Sequence, residues 1–317
     1  MLHRRSLLVT GAAAALSAML SPVRAAQHQS LQPLRRGSRL RAVNPGTWLD
    51  PDSDLSPLVR SCAAEGWTLE IPPSVKRQWR YFSGTDADRF ADLEAAWMDP
   101  DLDGLVYVGA GWGGARVLER GWRFPRRPLW TLGFSDTSSL LLAQWAAGLT
   151  GALHGSTVPS DDQQWARTVD LLSGRPVAPL QGQGQRWGAG VGPLVVTNLT
   201  VATHLIGTSY LPDLRGCILV LEDVGEAPYR VDRMLTQWRS AGLLRDLAGV
   251  ACGRFSWRGD VEPGDFAMEE VLVNRLGDLG CPLVLDLPLG HGRPNMALPL
   301  GRRARLDGRF GVLTLLD

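Results

Sequence analysis

Apolar runs and segments of helical period alternate along the first half of the chain. "LRAVNPG", "WTLEI", "LDGLVYVG" and "LWTLGF" read as strands. Between and after them lie helical patterns near 54–65, near 86–98, from Ala115 and after Ser135, the last of which looks amphipathic. This alternation predicts a parallel sheet with helices on its faces. The stretch "LSGRPVAPLQGQGQRWGAGVGP", residues 172–193, is rich in Pro, Gly and Gln and offers little apolar surface to bury. It reads as a linker or a long exposed connection. Beyond it, "PLVVTNL", "GCILVLED", "LAGVACGRF" and "CPLVLDLPLG" look like strands. One strong helix, "PYRVDRMLTQWRSAGLL", and a short β-rich end accompany them. The expected fold class is α/β, with an N-terminal α/β domain over 37–171 built on a mainly parallel sheet. A smaller α+β domain rich in strands follows over 194–317, with no strand pairing assigned.

Composition narrows the chemistry. The chain has 317 residues, 44% hydrophobic and 21% charged, enough for two modest domains each with a core. A net charge of +1, with no basic stripe, gives no reason to expect a nucleic-acid partner. Lys76 is the single lysine, which removes most Schiff-base and Ser-Lys schemes. Cys62, Cys217, Cys252 and Cys281 are widely spaced in or beside apolar segments and read as buried thiols, not as a metal or disulfide framework. Of the five histidines, His3 and His28 lie near the N-terminus. An acid-base histidine must therefore be His154, His204 or His291, and no HExxH spacing suggests a metal. No cofactor and no metal are expected.

The first residues carry the Arg4-Arg5 pair, an apolar run from Leu7 to Leu20 and small residues around Ala25 and Ala26. That order predicts a signal peptide over 1–26 of the twin-arginine type. Arg24 is unusual so near a cleavage point, and an uncleaved interfacial anchor is the alternative. The run is too short to span a bilayer comfortably, and no other segment could cross one. The mature chain is expected to be exported, in the periplasm, or cytoplasmic if the signal is not used.

Four places could carry chemistry. In "WTLGFSDTSSLLLAQWAAGL", Ser135 lies between a strand and a helix, with Gly133 two residues before and Asp136 after. A strand, sharp turn and helix push a hydroxyl out at the top of a sheet. The plainer reading is that Ser135 or Asp136 caps the helix. "GAGWGGAR" satisfies GxGxxG through Gly109, Gly111 and Gly114, with Asp136 where a ribose-binding acid would stand. The fingerprint usually follows the first strand of its domain, however, and this one follows a later strand. The same glycines could bring backbone N–H groups to a reacting carbonyl. In "LVLEDVGEAPYRVDRML", Glu222 and Asp223 should face opposite sides of their strand, and Glu226 suits the start of the next helix. In "LPLGHGRPNMALPLG", His291 sits between glycines on a loop, a setting where a histidine is usually solvated.

Ser135, Glu222 and His291 follow the chain order nucleophile, acid, base. With "GAGWGGARVL", "RRGSRLRAVNPG", "GFSDTSSL", "LEDVGEAPYRVDRML" and "GHGRPNMALPLG", the chain resembles the LD-carboxypeptidase family of serine peptidases from about Gly37 to about Gly301. The resemblance implies a Ser135–Glu222–His291 triad divided between two domains, with backbone donors at Gly111 and Asp136 for the oxyanion. It also implies a murein peptide as partner, with release of D-alanine from the tetrapeptide at an L-to-D bond. Microcin C immunity peptidases, which cut a different amide, are related. One departure is visible: the family's glycine motif usually opens with arginine, as RGGYG, where this chain has Gly109. A leaving residue with a free carboxylate calls for a cation, and Arg116, Arg230 and Arg233 are the candidates, with Trp112 beside them on the glycine loop. Surface ion pairing is the alternative for each arginine. A homodimer is one option for assembly. An exported protein that binds a small peptide without cleaving it is the reading from another class.

Overall fold

The computed structural model describes residues 31–316 except 110, 126, 261 and 262. The expected signal peptide over 1–26 lies outside them.

The first half alternates as its pattern predicts: β1 (Arg39–Val43), α1 (Ser56–Ala64), β2 (Thr68–Glu70), α2 (Asp86–Met98), β3 (Gly104–Tyr107), α3 (Gly114–Glu119), β4 (Trp130–Gly133), α4 (Ser138–Ala146), β5 (Ala152–His154) and α5 (Asp162–Leu172). The second half holds β6 (Leu180–Gln181), β7 (Gln183–Arg186), β8 (Ala189–Asn198), α6 (Leu199–Thr203), β9 (Ile218–Val224), α7 (Pro228–Ser240), β10 (Gly249–Ser256), α8 (Met268–Leu276), β11 (Leu283–Leu285), β12 (Leu298–Pro299), β13 (Arg303–Asp307) and β14 (Val312–Leu315).

The first sheet has the order β12-β5-β4-β3-β1-β2 and is parallel except for β12. Strand order reverses between β1 and β3, and the crevice beyond the carboxyl ends of strands at such a point is where open α/β sheets bind ligands. The second sheet, β6-β14-β13-β8-β9-β10-β11-β7, has a parallel centre from β8 to β11 with antiparallel strands on both flanks.

Two expectations need correction. Residues 172–193 are exposed over most of 181–191, as expected, but they are not a linker, because β6, β7 and the start of β8 lie there and pair into the second sheet. Their glycines suit positions where backbones approach closely: a Cβ on Gly190 would stand 1.7 Å from the Ala248 carbonyl oxygen. The helix after Ser135 is not amphipathic. Residues 138–144 of α4 are all buried, because the helix packs against the first sheet on one side and against β8 and α6 on the other. Leu140, Leu141 and Leu142 are fully buried there, each worth roughly 1.5–3 kcal/mol of apolar burial. They hold the two sheets at a fixed separation.

The four cysteines are free and buried, as their apolar settings predicted. Burial pushes the Cys62 thiol up to about 12, which leaves it unreactive. No helix among the described residues is long and apolar enough to cross a membrane.

Candidate active site

β4 ends at Gly133, and the chain reverses through Phe134 and Ser135 into a short 3-10 turn before α4. Ser135 has φ of 58°, a left-handed conformation that costs a non-glycine residue of order 1–3 kcal/mol. The turn is held by Thr137, whose hydroxyl donates to the Phe134 carbonyl at 2.8 Å and accepts from the Phe134 amide at 2.7 Å. Any Cβ at position 133 would stand 2.5 Å from that hydroxyl, so only glycine lets the turn close. The Ser135 hydroxyl does not cap the helix. It faces the ring of His291, with Oγ 3.0 Å from Nε2.

His291 is presented by a fastened loop, not a solvated one. Gly290 has φ of +99°, its amide donates to Asn295 Oδ1 at 2.9 Å, and a Cβ there would meet the Glu222 Cβ at 2.9 Å. Arg254 on β10 donates to the Arg293 and Pro294 carbonyls at 3.1 and 2.6 Å. The ring packs against Phe134 with centroids 4.5 Å apart. Its Nδ1 lies 2.7 Å from Glu222 Oε2.

Glu222 is wholly buried near the end of β9 and also accepts from the His291 amide and from Asn198 Nδ2. An ionised carboxylate on Nδ1 selects the tautomer with its proton there, leaving Nε2 free to accept from Ser135. Asp223 points away from the His291 ring, as alternation along a strand requires, and borders the cleft that Ser135 lines. It accepts from the Thr200 amide and hydroxyl, both at 2.8 Å, and burial raises its pKa against the pull of those bonds. Of the two adjacent acids, Glu222 alone bonds to His291.

Gly111, Trp112, Ser135 and Asp136 line one cleft of about 250 Å3 with Thr200 and His204 from the second half. The Asp136 amide opens the first turn after the serine, where an N–H has no intrahelical partner. The Gly111 turn is pressed against the loop after β1: the Thr47 amide donates to the Gly111 carbonyl at 3.3 Å, and a Cβ on Gly46 would meet that oxygen at 2.1 Å. The departure at Gly109 has a structural reason. Its φ is +78°, and a Cβ there would stand 2.3 Å from Asn44 Oδ1, so no arginine fits. The GxGxxG reading gains no support, since the Asp136 carboxylate is buried and engaged with the Gly114 amide instead of being free for a ribose.

The three candidate arginines do not line this cleft. Arg116 pairs with Asp86 and covers the Phe82 ring; Arg230 pairs with Glu226 at 3.5 Å and with the Tyr229 hydroxyl; Arg233 lies over the Tyr229 ring. Glu226 sits just before α7 but also borders the cleft. His154, one of the three candidate bases, is fully buried at the end of β5, and desolvation lowers its pKa to about 4. Its ring packs edge-on under Phe134, and neither ring nitrogen has a hydrogen-bond partner. No group of three or more His, Cys, Asp or Glu among the described residues is placed to hold a metal ion.

Sequence reasoning missed Asn198, which ends β8 and bonds Glu222 and Asp223 together, and Arg254, which fixes the histidine loop. The apolar run before Asn198 gave its strand but not its partner. It also missed Arg89, fully buried behind the glycine loop.

Comparison with known proteins gives matches on both sides of this site. Residues 42–155 match the LD-carboxypeptidase N-terminal domain and residues 191–306 the LD-carboxypeptidase C-terminal domain. The chain is 44% identical to a Synechocystis sp. protein named "Putative carboxypeptidase", over 90% of this chain and 96% of that one. It is 31% identical to the murein tetrapeptide carboxypeptidase of Pseudomonas aeruginosa, over 90% and 97% of the two chains. Among solved structures, muramoyltetrapeptide carboxypeptidase from Oxalobacter formigenes superposes with a TM-score of 0.78 at 25% identity, covering 88% of this chain and 98% of that one. The microcin C7 self-immunity protein MccF shares the fold, with a TM-score of 0.77 at 18% identity over 90% of this chain and 98% of that one.

Proposed function

Since the chain belongs to the LD-carboxypeptidase family, we propose that it is a serine peptidase that releases the terminal D-alanine of murein tetrapeptide by cutting an L-to-D amide. The observation that carries this reading is the relay Ser135 Oγ–His291 Nε2 at 3.0 Å and His291 Nδ1–Glu222 Oε2 at 2.7 Å, built from both halves of the chain.

In this mechanism Ser135 Oγ attacks the scissile carbonyl carbon while His291 Nε2 takes its proton. Glu222 holds the ring and stabilises the imidazolium. The oxyanion is bound by the amides of Asp136 and Gly111; losing one such donor typically costs about 2.7–4 kcal/mol of activation free energy. Collapse breaks the C–N bond, and His291 returns the proton to the departing amine of D-alanine. Water, deprotonated by His291, then hydrolyses the ester on Ser135 and frees the tripeptide. The strained serine costs nothing at the moment of reaction, since folding has already fixed its geometry.

The test is to incubate the protein with L-Ala-γ-D-Glu-meso-diaminopimelate-D-Ala and with the pentapeptide bearing a second D-alanine. The tetrapeptide should lose D-alanine and the pentapeptide should be poor, because its terminal bond joins two D-residues and presents the carbonyl in the wrong hand to a fixed nucleophile. Equal turnover of both would remove the L-to-D assignment. Cleavage of neither, with hydrolysis of an aminoacyl-sulfamoyl nucleoside instead, would favour a MccF-like substrate. Binding of the tetrapeptide without cleavage, unchanged in Ser135→Ala, would favour a peptide-binding protein.

The Arg4-Arg5 pair and the run from Leu7 to Leu20 support export of this peptidase. A tagged protein should fractionate outside the cytoplasm, and replacing both arginines by lysine should retain it inside. An unchanged distribution would count against the twin-arginine route.

A further inference from the structure

Two adjacent glycines and one buried arginine behind the cleft share a single purpose. The carbonyl of Gly113 accepts from Arg89 Nη1 at 2.8 Å, and the amide of Gly114 donates to Asp136 Oδ2 at 2.7 Å. These two groups belong to the same peptide unit and point to its opposite edges. The unit is therefore gripped by a cation on one edge and a carboxylate on the other. Neither glycine can be anything else. A Cβ on Gly113 would stand 2.6 Å from Arg89 Nη1, and one on Gly114 would stand 2.4 Å from the Ser139 hydroxyl and 3.0 Å from Asp136 Oδ2.

The grip extends to the neighbouring loop. Arg89 has no exposed surface. It also donates to the Pro45 carbonyl and to Asp86, and its guanidinium lies 4.3 Å from the centre of the Phe82 ring. Pro45 precedes Gly46, whose backbone abuts the Gly111 carbonyl. Arg89 thus ties helix α2 to both loops that flank the Gly111 turn, and Asp136 ties that turn to the residue after the serine. Burial raises the Asp136 carboxyl to about 6, while the bonds from the Gly113 and Gly114 amides and the charge of Arg89 hold it down against that cost. A buried acid and a buried arginine are expensive to keep; Arg89 is charge-paired with Asp86 on its own helix, and its remaining bonds, like those of the Asp136 carboxylate, go to this turn and the loop beside it.

Resting on the proposed function, we infer that Arg89 and Asp136 are positioning residues that clamp the Gly113–Gly114 peptide and so hold the Gly111 amide where the oxyanion forms. Their side chains touch no reacting atom. They fix the backbone that does.

The test compares wild type with Arg89→Lys, Asp136→Asn and the double variant, in the full chain. Four readings are taken: kcat and KM on the tetrapeptide, affinity for a peptide boronate that forms a tetrahedral adduct on Ser135, affinity for the tripeptide product, and Tm. Each single variant should lower kcat roughly 100-fold and leave KM within about threefold, as loss of an oxyanion donor does. Boronate affinity should fall with kcat/KM, and tripeptide affinity should stay. The double variant should be no slower than the worse single, because both groups act on one peptide. If Arg89→Lys fails to fold, the isosteric Asp136→Asn decides by its kcat, KM and boronate affinity. Folded variants that keep kcat, lose KM instead, or multiply their losses would overturn the clamp. A wild type that hydrolyses no amide would overturn the proposed function itself, which is a different result.

Discussion

The two halves of the molecule contribute to the site in different ways. The N-terminal half supplies backbone: a serine at φ 58°, a glycine turn and the first amide of a helical turn, all at the carboxyl ends of short parallel strands. The C-terminal half supplies side chains: a wholly buried Glu222, Asn198 beside it, and His291 on a loop fastened by Arg254 and Asn295. In the proposed mechanism the first side contributes geometry and the second contributes electrostatics. The two meet at the 3.0 Å contact between Ser135 and His291, and α4, which follows the serine turn, is buried between the sheets. This division teaches that the halves should fail differently when perturbed.

The largest effect belongs to His291. Replacing it with alanine removes the base that both halves share, and kcat should fall by roughly 10⁴–10⁶ with the fold intact, read from circular dichroism. A loss below 100-fold would mean that the serine is activated from within the first half. Glu222→Gln comes next, with kcat expected to fall by about 10³–10⁴ because the amide fixes the wrong ring tautomer. Its neighbour sharpens the comparison. Asp223→Asn should lower Tm by a few degrees through the Thr200 and Val224 bonds while changing kcat little. The reverse ranking would place the catalytic acid one residue away.

The smallest effect lies under the serine turn. His154 is buried and its pKa is lowered to about 4, below the ordinary value of 6.5. The folded state therefore binds fewer protons there than the unfolded chain, and stability is lost as pH falls from about 6.5 toward 4. The shift corresponds to about 3 kcal/mol over that window. His154→Leu should flatten the decline in denaturant midpoints between those pH values. An unchanged slope would show that another group governs acid stability.

The sequence revealed the site better than it revealed the sheets. Ser135, Glu222 and His291 each stand in a local pattern with its own physics, respectively a strand-turn-helix, a strand ending in adjacent acids, and a glycine-flanked loop. The strands over 180–186 have no such pattern. They are short flanking strands, and β7 pairs with β11 about a hundred residues later, so nothing nearby marks them. Strand β5 is three residues long, and α8 carries only a weak apolar face. The sequence left the arginines unranked for a related reason. Arg116 and Arg89 share one acid, Asp86, and the fold alone decides which is buried and which is half-exposed. In "DADRFADL" Arg89 looks like one more surface charge.

In the proposed mechanism Ser135, presented by the first half, is the nucleophile that the second half activates. The test is D-alanine released from the tetrapeptide by wild type and by Ser135→Ala at equal concentration, with Tm confirming that both are folded. Wild type should release D-alanine steadily, and the variant none above the uncatalysed background. Release by Ser135→Ala at anything near the wild-type rate would rule Ser135 out as the nucleophile.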